Sequence, residues 1–143
     1  MQFEIMDIPA AVLLFIFTIT DMKTGTISRA AAIVGMVSGL MIRILLPEYR
    51  LLDGVGGILG AGLFFLLSWL SKEAIGRGDC YMLCAAGAFY GFTGMLELFF
   101  FALVFAACYA VYLLVRRKAD RKTGFPFMPF LLLAWIFTKV LTI

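Results

Sequence analysis

Residues 76–115 read GRGDCYMLCAAGAFYGFTGMLELFFFALVFAACYAVYLLV, with one acid, Asp79, at the mouth of a long apolar run. The run divides into apolar segments at 80–92 and 95–115, and similar segments stand at 5–20, 28–46, 51–70 and 125–140. Of the 143 residues, 64% are hydrophobic and 15% charged, against about half and about a quarter in a soluble domain. Apolar blocks between short polar breaks are the layout of a multi-span helical membrane protein. The expected fold is all-α, a polytopic transmembrane bundle of about six helices, forming a single integral-membrane domain over residues 1–143. No stretch reads as a separate soluble domain.

A span needs about 20 residues at about 1.5 Å each. The first and fourth segments are short, and each reaches that length if its helix continues through an aspartate, Asp21 or Asp79. Alternatively the fourth inserts only partly, which leaves five full spans and moves the carboxyl terminus to the other side. The opening apolar run is preceded by Glu4 and Asp7, with no Lys or Arg, which is the reverse of a signal peptide.

Charge placement orients the chain. Lys23, Arg29, Lys72, Arg77, Arg116, Arg117, Lys118, Arg121 and Lys122 lie in loops on one side, nine of the twelve basic residues. Arg43, Arg50 and Lys139 fall on the other side with Glu4, Asp7, Glu48, Asp53 and Glu97. The basic side is expected to face the cytoplasm, with the chain multi-pass in the inner membrane and the lipid bilayer as its surroundings. Arg43 lies near enough to its helix end to snorkel outward. The basic cluster at 116–122 is explained by topology and anionic headgroups, so no nucleic-acid partner is expected.

Several chemistries are excluded. Without histidine a Ser-His pair is impossible and a zinc site lacks its usual ligands. Cys80, Cys84 and Cys108 form no Cys-x-x-Cys pair and read as buried or membrane-facing thiols. No metal or cofactor is expected. Ser71-Lys72 is a poor Ser-Lys dyad, because adjacent side chains in a polar loop are badly placed to activate one another.

Acids at a bilayer boundary point to function, since Asp at a helix centre costs about 2.5–3.5 kcal/mol even on insertion scales. Asp21 closes the first span on the cytoplasmic side. After two further spans, Asp79 opens the fourth on that same side, so the two can be neighbours. The small-xxx-small pairs Gly35/Gly39, Gly56/Gly60 and Gly87/Gly91 would let helix backbones approach closely. Two carboxylates within hydrogen-bond reach do not both ionise easily, so one keeps a proton. One then draws a proton from water while the other donates to a peptide carbonyl, which is aspartyl proteolysis. Gly78 would admit substrate backbone beside Asp79, and Gly76 would add loop freedom. The structural alternatives are an N-cap for Asp79, a flexible turn for the glycines, and an ordinary interfacial pair of Asp21 with Lys23. Trp69 and Tyr81 suit an aromatic belt.

Three elements resemble the type IV prepilin peptidase family, including its preflagellin-processing relatives. They are Asp21-Met22-Lys23-Thr24-Gly25-Thr26-Ile27-Ser28-Arg29, Gly76-Arg77-Gly78-Asp79-Cys80-Tyr81, and Phe125-Pro126-Phe127-Met128-Pro129-Phe130. The Gly-x-Gly-Asp signature alone is shared with presenilin-like proteases. The chain departs from the family pattern at Ser28-Arg29, where Pro-Asn is usual, and at Tyr81, where a lysine is usual. The resemblance implies an intramembrane aspartyl endopeptidase with Asp21 and Asp79 as catalytic pair. Its partners would be prepilin or pilin-like substrates with short basic leaders, cut on the cytoplasmic side after a small residue. It further implies a compact peptidase-only form, lacking the Cys-x-x-Cys domain of the members that also methylate.

Two other readings stand beside this one. In the first, a non-enzymatic membrane protein uses the acids for proton relay or cation binding. In the second, a degenerate homologue serves as an assembly scaffold.

Overall fold

Every long apolar segment of the described residues is helical. The computed structural model describes residues 4–24, 29–46, 48–70, 77–116 and 126–141. The order is α1 (Asp7–Thr24), α2 (Arg29–Leu45), α3 (Leu51–Leu70), α4 (Arg77–Val115) and α5 (Met128–Leu141), with no strand among the described residues. α1 continues through Asp21 and α4 already contains Asp79, one of the outcomes the segment lengths allowed. Thr18, Thr20 and Thr24 satisfy their hydroxyls on the carbonyls of Leu14, Ile16 and Thr20, so an apolar helix carries them without an unpaired polar atom.

The described residues form five helical elements where about six were expected, since segments 80–92 and 95–115 share α4. α4 is nonetheless broken at Gly91, whose φ of 73° and ψ of −174° are not helical. Met95 packs in one small cluster with Ala61, Leu83 and Ala86. Residues twelve apart on a straight helix would be separated by about 18 Å, so the limb at 92–115 folds back on the limb at 77–90.

The 77–90 limb is central and narrow. Methyl groups built at Gly35 and Gly39 of α2 would stand 3.3 and 3.0 Å from the Cβ atoms of Ala85 and Ala88. On its other side Gly87 meets Gly57 of α3 backbone to backbone, the contact small residues permit when van der Waals packing joins helices. The expected pair Gly56/Gly60 is thus shifted by one position in part: Gly60 abuts Phe92, whereas nothing lies near Gly56. The main core joins Leu14 and Phe17 of α1, Met82 and Leu98 of α4, and Met128, Leu131 and Trp135 of α5. Large apolar side chains also point outward, among them Leu52 at 80% and Trp69 at 72% exposure. Such a surface suits lipid rather than water, and two helical stretches, Leu51–Leu70 and Gly78–Val115, are long and apolar enough to cross a membrane.

Three charges expected near the outer surface lie inside. Asp7 and Lys139 form a buried ion pair at 2.7 Å, with Tyr90 donating to Asp7 Oδ1 and Trp135 Nε1 donating to Tyr90. Arg43 does not snorkel. It is only 6% exposed and donates to the carbonyls of Ala88, Phe89 and Arg50, each at 2.8 Å. The helix break at Gly91 leaves the last carbonyls of the 77–90 limb without intrahelical donors, and the guanidinium fork supplies them.

Candidate active site

The two ends of the bundle differ in chemistry. The far end holds a cavity of about 570 Å³ lined by Glu4, Arg43, Arg50, Asp53 and Lys139 among others. Two of its cations, Arg43 and Lys139, meet carbonyls and an acid already present, so that part is organised as a structural network. The other end carries Asp21 and Asp79.

Asp21 occupies the last turn of α1 and is 7% exposed. Its own helix is unfavourable to it, because the C-terminal end of a helix carries partial negative charge. The compensation comes from α5, where the Met128 N–H, first of that helix, donates to Asp21 Oδ2 at 3.1 Å. Pro126 and Pro129 flank this donor. Pro126 suits the entry to a helix and Pro129 lies in its first turn, where a missing N–H removes no intrahelical bond. One turn before Asp21, Thr18 Oγ1 donates to Leu14 O and lies 3.4 Å from the Met128 carbonyl. Asp21 therefore holds the N–H of Met128, and Thr18 lies close to its carbonyl.

Asp79 lies in the first turn of α4, two residues inside its start, and is half-buried. An acid is favoured there by the helix dipole, but its position inside the helix is not that of an N-cap. The charge of Asp21 acts on Asp79, so the carboxyls of α1 and α4 come within electrostatic range of each other. Cys80, next in sequence, is buried with Sγ against the Phe64 carbonyl at 3.7 Å. Tyr81 packs edge-on against Phe65, and Trp69 is outward-facing. The cysteines are free. Ser71, Lys72, Glu73, Gly76, Asp120, Phe125 and the stretch 25–28 lie outside the described residues.

The contact of Met128 with Asp21 was not foreseen from sequence. The two prolines around Met128 were its only local signal, and they mark a helix start without saying which acid it meets.

A family model described as the type IV leader peptidase family matches residues 8–111. Two relatives named leader peptidase HopD are similar to this chain. The one from Escherichia coli is 36% identical over 85% of this chain and 81% of its own. The one from Salmonella typhimurium is 35% identical over 84% and 82%. A prepilin leader peptidase/N-methyltransferase from Xanthomonas campestris pv. campestris is 30% identical over 55% of this chain and 31% of its own length. No solved structure matches the chain. With a family match over residues 8–111 and a relative 36% identical over 85% of its length, the chain belongs to the type IV leader peptidase family.

Proposed function

We propose that the chain is an intramembrane aspartyl endopeptidase in which Asp21 and Asp79 form the catalytic pair, and that it removes the short leader from type IV prepilin or pilin-like precursors. The observation that carries this reading is the match to the type IV leader peptidase family, in a bundle where the charge of Asp21 on α1 acts on Asp79 of α4. One carboxylate takes a proton from water while the other, protonated, gives its proton to the scissile carbonyl oxygen. The resulting diol collapses as the first carboxyl protonates the leaving nitrogen and the second recovers a proton from the diol. Both return to their starting states, and water is the sole co-reactant. Similarity to a relative named for prepilin leaders supports the substrate class. Basic loops around 23–29, 72–77 and 116–122 orient the site toward the cytoplasmic boundary of the inner membrane, in a multi-pass chain. Family membership disfavours a passive proton or cation site and a degenerate scaffold. Residues 1–143 are read as one peptidase unit, with no methyl transfer assigned to them.

Co-expression with a candidate prepilin tests the reading. Asp21→Asn and Asp79→Asn are nearly isosteric but lack acid–base function, so each is expected to abolish leader removal while still inserting in the membrane. Normal processing by either variant would remove that residue from the catalytic pair.

A further inference from the structure

The geometry points to Met128 as a positioning residue whose backbone N–H holds Oδ2 of Asp21 and so orients that carboxyl. This rests on the catalytic reading of the two aspartates and adds what orients Asp21. Asp21 Oδ2 accepts the Met128 N–H in a buried setting. Oδ2 is thereby held at the start of α5, where Thr18 Oγ1 of α1 also lies 3.4 Å from the Met128 carbonyl.

The wider packing leads to the same element. α1 packs chiefly on α5, while α5 packs on both α1 and α4. At the far end Lys139 of α5 grips Asp7 of α1, and Trp135 of α5 donates to Tyr90 of α4. α5 is therefore a strut between the helix bearing Asp21 and the helix bearing Asp79. Its first N–H is the strut's point of contact with the reacting acid. Pro126 and Pro129 place that helix start without offering an N–H of their own, so the donor facing Asp21 is defined.

The N–H can be deleted while the side chain stays. Methionine or its α-hydroxy analogue is installed at position 128 by the same suppression route, the second giving a backbone ester. Cleavage of a synthetic segment with a basic leader, a glycine and an apolar helix is then followed in detergent, with active enzyme titrated. The ester is expected to lower kcat about 10- to 100-fold, the loss of a bond to a charged group, with KM within about twofold because the bond serves the reacting acid rather than substrate binding. Met128→Pro measured against Met128→Ala provides a second comparison, in which the proline alone lacks the N–H. Equal kcat for ester and amide, alongside inactive Asp21→Asn and Asp79→Asn, overturns this inference alone. Active Asn variants overturn the catalytic reading and this inference with it.

Discussion

Lys139 Nζ lies 2.7 Å from Asp7 Oδ2, with the two side chains only 5% and 0% exposed. Asp7 also accepts from Tyr90 and from the Glu4 N–H, so its charge is distributed over three donors. Removing one partner leaves a buried carboxylate with its desolvation cost and less compensation. Lys139→Met is expected to destabilise the bundle by about 3–5 kcal/mol, read as a lowered unfolding midpoint in detergent micelles. The double variant Asp7→Leu/Lys139→Met removes both charges and should recover most of the loss. If the double is as unstable as the single, the pair acts through something other than mutual compensation.

Gly56 and Gly57 are neighbours in sequence with opposite expectations. A methyl group at Gly57 would overlap the Gly87 carbonyl, and both backbones would have to part. Gly57→Ala should cost about 1–3 kcal/mol by overpacking, and Gly87→Ala the same, because the contact is mutual. Gly56 meets nothing within 4 Å. Gly56→Ala should be neutral or gain up to about 1 kcal/mol from helix propensity. The three midpoints, measured together, test how α3 is rotated against α4.

That rotation marks the boundary of what could be read from sequence. Span positions were legible because apolar runs are local: segment 51–70 coincides with α3, and both aspartates fall inside the helices they were expected to extend. Counting spans put Asp21 and Asp79 at the same end of the bundle without knowledge of packing, and the charge of Asp21 does act on Asp79. Which glycine of the Gly56-Gly57 pair faces α4 was not legible, since one position turns a helix by about 100°. Arg43 was equally closed to view. A cation at a helix end snorkels or caps depending on whether a neighbouring helix breaks beside it, and that break belongs to residues far along the chain.

Arg43 lends itself to a graded test. Its guanidinium reaches three carbonyls in two directions, Ala88 and Phe89 at the helix break and Arg50 before α3. A lysine keeps the charge but not the planar fork. Arg43→Met, which leaves carbonyls without their donor, should cost about 1.5–3 kcal/mol or more. Arg43→Lys should fall between it and the wild type. A lysine variant as stable as the wild type would show that charge alone, and not the fork, holds the break.

Gly91 is where the chain of α4 turns back, and its backbone is in a region that only glycine occupies readily. At φ 73° and ψ −174° a Cβ meets intrinsic strain of about 1–3 kcal/mol. The same Cβ would stand 3.3 Å from Asp53 Cβ and 3.3 Å from the Asp53 carbonyl oxygen, a contact that α3 must shift to relieve. Gly91→Ala is therefore expected to lower the unfolding midpoint. Because Met95 and Leu98 reach their core partners only through this reversal, the variant should also increase protease access to the 92–115 limb. The neighbouring glycine, Gly94, has no such φ, and Gly94→Ala carries no backbone penalty of this kind. Equal losses at positions 91 and 94 would show that the break is held by packing and not by the conformation of Gly91.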